Sequence, residues 1–340
     1  DLGKGQIINR SMIIAKSPGQ GLQPNRLEDL IGKVAQRDFK IGDIFFEADI
    51  TPKSAKKAKY FFSRPYGIPV RYHDYNALIE NMEIDFVEFH LSFHDLDLKL
   101  AEYFSGLQSI GYAVHCPELF DGDHILDLAS NDLGYRQHSI AQLKSTISVA
   151  EKLHQFFPAT PRPVFILNVG GWTQNGFLPI EARADLYARV EAALDEIDLN
   201  SVYIAIQTMP PFPWHFGGQS HHNIFVDPDE IAAFCSRTDH KICLDISHSM
   251  MACNYYRWDF SEFLKKVLPH AIYLHIADAK GVDGEGVQIG GGDVDFVNLA
   301  NKLKKYASPK VKFVPEVWQG HKNNGEGFWE ALHFLEKFGI

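Results

Sequence analysis

KICLDISH (241–248), AIYLHIAD (271–278) and VKFVPEVW (311–318) decide the fold. Each is an apolar run with the composition of a buried strand, and each ends on an ionisable residue: Asp245, His275 and Glu316. The same pattern recurs upstream in FFSRPYGIPV (61–70), FVEFHLS (86–92), YAVHCPEL (112–119), PVFILNVGG (163–171) and SVYIAIQT (201–208), which makes eight strands. Between them lie stretches such as ARADLYARVEAALDEI (182–197) and DFVNLANKLKKY (295–306), whose apolar residues return every three or four positions as in an amphipathic helix. Eight strand–helix units predict a (β/α)8 TIM barrel, since a doubly wound sheet would carry a Gly-rich phosphate turn after its first strand and none is seen here. Such barrels gather chemistry at the C-terminal ends of their strands, where Asp245, His275 and Glu316 fall. Oxygen and imidazole donors converging there predict a divalent metal: Mn, Zn, Co or Mg.

The 340 residues allow a large core plus a small extra module. A net charge of −10 offers no basic field for a polyanion, so nucleic acid is not an expected partner and a small molecule is. No apolar run reaches the roughly 20 residues of a membrane span. Four cysteines, Cys116, Cys235, Cys243 and Cys253, lack CxxC spacing and sit among apolar neighbours, which predicts core thiols in a reducing, cytoplasmic setting. Residues 1–52 predict a β-rich module of short strands, MIIA (12–15) and DIFF (43–46) among them, punctuated by turns such as SPGQG (17–21). The polar segment 53–59 reads as a linker, and 60–340 as the barrel. The stretch IGGGD (289–293) predicts a turn before the seventh helix, and His221 and His222 an exposed loop.

Two resemblances add to this reading. The stretches SPGQGLQP (17–24) and IGKVAQRDFKIGD (31–43) resemble the SAF, or antifreeze-like, domain of sialic acid synthases, over residues 1 to about 50. In those synthases an Arg in the equivalent turn reaches a substrate sugar in the partner subunit. Here Ser17-Pro18-Gly19 occupies the turn, which implies a structural or homo-oligomer-forming role instead. The start at Asp1, without Met, and the late beginning of the module imply a piece of a longer chain, with a synthase barrel ahead of it.

LDISH (244–248), LHIAD (274–278), IGGGDVDF (289–296) and PEVWQGH (315–321), with DFVEFH (85–90) and AVHCP (113–117), resemble the xylose isomerase-like superfamily across the whole barrel. Its sugar-active members hold one divalent ion through Glu, Asp, His and Glu on four successive strands. The resemblance maps these onto Gln207, Asp245, His275 and Glu316, with an amide where the first carboxylate is expected. It implies a metal-dependent isomerase or epimerase of a sugar or sugar phosphate, linked through the SAF-like module to sialic acid-like sugar metabolism. Glu316 would be the base and His248 would orient the substrate. Glu88, His90, His115, Trp214 and His215 are the expected substrate contacts, each with ordinary core or loop packing as its competing account. Gln207 cannot act as a base, and with Ser17 it motivates the alternative of a non-catalytic sugar-binding or scaffold barrel.

Overall fold

The computed structural model describes residues 1–16, 21–51, 56–215 and 218–340. The turn at Ser17-Pro18-Gly19 therefore lies outside the described residues. Eight parallel strands follow one another around one sheet: β1 Gly67–Val70, β2 Phe86–His90, β3 Gly111–His115, β4 Val164–Leu167, β5 Tyr203–Gln207, β6 Lys241–Asp245, β7 Ala271–Ile276 and β8 Lys312–Pro315. The ring closes between β8 and the residues ahead of β1, where Tyr66 bridges Phe313 in parallel and the Phe313 amide donates to the Pro65 carbonyl at 3.1 Å. This is the (β/α)8 barrel that the eight apolar runs predict.

Alternation along each strand sorts the side chains. Outward residues such as Val87, Phe89, Val114, Ile206, Leu244 and Leu274 join the main core beneath the helices. Inward residues Phe86, Ala113, Val164, Ile166, Ala205, Cys243, Tyr273 and Val314 form a separate plug inside the barrel. One pleat further along, the same inward parity delivers Glu88, His90, His115, Gln207, Asp245 and His275 to the upper interior. Strand register sets their heights, pairing His90 with His115 and Asp245 with His275.

The helix over 180–195 and the helix over 296–306 form where the periodicity puts them, the second capped by Asp295, whose side chain accepts from the Asn298 amide. The turn ahead of that second helix is held by Asp278, which accepts from the amides of Ala279, Gly290, Gly292 and Val294, so IGGGD is a structural turn. All four cysteines are buried free thiols. His222 corrects the expectation of an exposed loop: it pairs with Trp172 in a two-residue ribbon and is buried, with Nδ1 3.0 Å from the Ile224 carbonyl. Two polar letters in sequence cannot reveal that a second segment folds over them.

The N-terminal module has its own small core of Leu2, Ile8, Ile13, Leu30, Ala35, Phe39 and Ile50. The expected strands MIIA and DIFF are not regular strands. Residues 10–12 make a 3-10 turn, Ile14 is 71% exposed, and DIFF runs into the single helical turn Glu47–Ile50. Isolated bridges, Leu2 to Phe39 and Ile7 to Val34, tie the backbone together instead. The described end of the linker is docked on the barrel, with the Lys56 ammonium donating to the Leu78 and Glu80 carbonyls and lying 4.4 Å from the Trp329 ring centre. No helix among the described residues is long and apolar enough to cross a membrane.

Candidate metal centre and its cavity

His275 stands at the centre of the upper interior, fully buried on β7. Its Nε2 lies 3.1 and 3.2 Å from the two carboxylate oxygens of Glu88, which is itself fully buried. Its Nδ1 faces the other way, 2.7 Å from Glu316 Oε2, 3.7 Å from Asp245 Oδ2 and 3.2 Å from the Gln207 side-chain amide. Burial alone would push the Glu88 carboxyl up, but His275 and His90 together hold it well below the usual carboxylate range. An ionised Glu88 accepts from the Nε2–H of His275, and although burial works against a charged ring, Cys243, Glu316 and Glu88 lift the imidazole well above its ordinary value, so that Nδ1 holds a proton toward Glu316 and presents a lone pair there only once that proton leaves.

Two acceptors 2.7 Å apart require a positive charge that both can face. A proton supplies one solution and a divalent cation the other, and an imidazole nitrogen with two carboxylates is a donor set that suits a transition metal. Among the described residues, the triads whose donor atoms all lie within 4.8 Å of one another are Glu88–His90–His275 and His115–His275–Glu316; Asp245 approaches this cluster through its 3.7 Å separation from His275 Nδ1.

Asp245 serves two purposes. One oxygen caps the helix Ile246–Tyr256 by accepting from the His248 amide at 2.9 Å, while the other points to Gln207 and His275. Burial opposes its ionisation, yet His248 and His275 hold the carboxyl at about 2. Burial likewise works against a charged His248, but Asp245 and then Glu285 lift its imidazole to about 10. Both His248 nitrogens are committed: Nδ1 donates to the Thr208 carbonyl at 2.9 Å and Nε2 lies 3.1 Å from Glu285 Oε1. His248 therefore reaches the cavity through Glu285.

A cavity of about 440 Å³ opens above Asp245, His90 and Glu316, and its outer walls include Arg71, Glu285 and Trp318. Glu316 keeps 28% of its side chain exposed there, so the same residue meets both the donor cluster and solvent. His90 and His115 pack beside it with ring centres 4.9 Å apart and planes tilted by 33°.

The structure thus draws Gln207, Asp245, His275, Glu316, Glu88, His90, His115 and His248 into one region. Trp214 is apart from them: it is 71% exposed on a short ribbon and does not line this cavity. The side chain of His215 lies outside the described residues. The aromatic residue at the cavity is Trp318, which follows Glu316 by two positions in PEVWQGH, so the motif that marks Glu316 also carried it. Arg71, just past the end of β1, had no comparable signal.

Comparison with known proteins agrees with this fold. The family described as xylose isomerase-like TIM barrel matches residues 77–338, and the SAF domain matches residues 1–51. No curated protein matches the chain by sequence. Among solved structures, a D-tagatose 3-epimerase-like protein is 19% identical with a TM-score of 0.54, over 80% of this chain and 98% of its own. An L-ribulose 3-epimerase is 16% identical at 0.55, over 80% and 94%. The 3-keto-D-glucoside 4-epimerase of E. coli is 12% identical at 0.52, over 82% and 100%. At these identities the likeness carries the fold.

Proposed function

This chain belongs to the xylose isomerase-like TIM barrel family, with a SAF domain at its N-terminus, and from that premise we propose that it is a metal-dependent isomerase or epimerase of a sugar or sugar phosphate. One observation carries the reading: Gln207, Asp245, His275 and Glu316 converge at the ends of four successive strands, and Glu316 still opens to a cavity large enough for a monosaccharide. The sugar epimerases among the structural neighbours support the substrate class.

Asp245, His275 and Glu316 would hold the ion, with the Gln207 amide as a neutral fourth donor. A bound divalent ion would polarise a substrate carbonyl and its adjacent hydroxyl. Glu316 takes the proton from the carbon next to that carbonyl and returns it. Asp245 stays ionised throughout, because His248 sits beside it. The His248–Glu285 pair shapes the cavity wall against which the substrate is oriented. With an amide at position 207, Glu316 is the one glutamate left in the set, which favours transfer of a proton along one face of the substrate over exchange between two faces. The SAF domain supports a place in sialic acid-like sugar metabolism. The same amide favours a second reading, a barrel that binds sugar without turnover.

Solvent deuterium separates the two. Incubated in deuterated water with ketohexoses, N-acetylhexosamines and their phosphates, the protein should place deuterium on the carbon beside the carbonyl. Glu316→Gln should abolish exchange, with metal content measured in parallel. Sugar binding without exchange in a metal-loaded protein would refute the enzymatic reading.

A further inference from the structure

His115 is caught between two partners whose demands fix its protonation. Its Nδ1 lies 2.9 Å from the Cys116 carbonyl oxygen, which can only accept, so Nδ1 carries the ring proton. A neutral imidazole then presents a bare lone pair at Nε2. That lone pair points across the barrel at the Gln207 side-chain amide, whose Oε1 is placed 3.2 Å away. As placed, the amide nitrogen Nε2 donates to Asp245 Oδ2 at 3.1 Å and lies 3.2 Å from His275 Nδ1.

The oxygen and nitrogen of an amide have nearly the same shape and are told apart only by their partners. With oxygen toward His115, as placed, two acceptors oppose each other at 3.2 Å, and the NH2 group donates to Asp245 Oδ2, filling the place that an ion held by Asp245, His275 and Glu316 would take. With nitrogen toward His115, the chain of donors closes. Gln207 donates to His115, and His115 donates to the Cys116 carbonyl. The Gln207 oxygen then joins Asp245 Oδ2 and His275 Nδ1 at separations that suit ligands sharing one ion.

We infer that His115 is a positioning residue that turns the Gln207 amide so that its oxygen faces the ion site. This rests on the metal-dependent reading above. It explains how a neutral side chain can serve where a carboxylate is expected: a carboxylate presents oxygen whichever way it is turned, whereas an amide needs a partner to choose its face. Glu88 would do the corresponding work for His275, accepting the hydrogen bond from Nε2 so that Nδ1 is the nitrogen left to face an ion.

The test is cobalt binding by the full chain, measured by competition with a chelating indicator and by the visible spectrum of the bound ion. Four proteins are compared: the unmodified protein, His115→Ala, Gln207→Glu and the double variant. His115→Ala should weaken cobalt binding by about 10-fold or more when residue 207 is Gln, and by less than about twofold in the Gln207→Glu background. The cobalt spectrum should change between the first pair and stay the same between the second. Equal losses in both backgrounds would make His115 a direct ligand or a general support and overturn the orienting role. No loss in either would overturn it as well. An unmodified protein that takes up no cobalt would overturn the metal-dependent reading itself, and this inference with it. Should His115→Ala fail to fold, His115→Leu makes the same comparison with more of the ring volume retained.

Discussion

Replacing Glu88 by Gln should weaken metal binding without unfolding the protein, and the structure sets the size of the effect. Glu88 is fully buried, faces His275 Nε2 with both oxygens at 3.1 and 3.2 Å, and has His90 Nε2 2.6 Å from Oε1. As a carboxylate it can only accept, so it draws a proton onto Nε2 of His275. Glutamine keeps the volume but offers two N–H donors. Turned toward His275, that NH2 would favour the other tautomer, with the proton on Nδ1, the atom that faces Glu316 and Asp245. The lone pair needed for the ion would then be lost in a fraction of molecules, and the remaining imidazole would be a weaker donor without the charge behind it. Changes of this kind behind a metal-bound histidine cost about 10- to 100-fold in affinity, or about 1.4–2.7 kcal/mol. Zinc or cobalt titration against a competing chelator measures it, and a thermal melt monitored by circular dichroism checks that the fold survives. Affinity within about twofold of the unmodified protein, with the fold intact, would show that Glu88 does not govern His275.

Asp127 supplies a pH test away from the centre. Burial pushes its carboxyl up to about 6 despite amide donors from Gly171 and Ala129. Because the folded value exceeds the ordinary unfolded one near 3.9, the folded state is favoured below that value and loses this advantage as pH rises through about 6. Asp127→Asn should therefore gain about 1.4 kcal/mol relative to the parent between pH 5 and pH 8, in denaturant titrations at each pH; a difference that stays constant with pH would refute this. Deleting residues 1–51 should leave cobalt affinity within about twofold, since the module has its own core and none of its residues lines the mouth cavity. The same deletion should change the assembly state seen by light scattering, because Ile14 and Ile41 stand 71% and 90% exposed on the module; lost metal binding with an unchanged mass would contradict this division of labour.

Much of the barrel was legible from local pattern. The eight apolar runs gave eight strands, and the strand-end positions of Asp245, His275 and Glu316 put them at one mouth, because a period of two fixes which side chains point inward. Helix starts such as Asp295 were readable for the same local reason. What local pattern cannot supply is which inward residues meet. Glu88 and His275 are 187 positions apart, and His115 and Gln207 are 92 apart. Their contacts depend on the stagger between neighbouring strands and on closure of the ring, neither of which leaves a mark in any one segment. Glu88 thus read as a substrate contact and proved to be a buried partner of a histidine. Trp214 read as the aromatic wall, while loop geometry gave that place to Trp318. In the N-terminal module the limit is different: single bridges and 3-10 turns carry no periodicity, so short apolar stretches there looked like strands until their exposure was known. The chemistry types and their strands were set by the sequence alone, and their pairing, protonation and access to solvent were decided by tertiary structure, because each of these depends on atoms brought together only when the barrel closes.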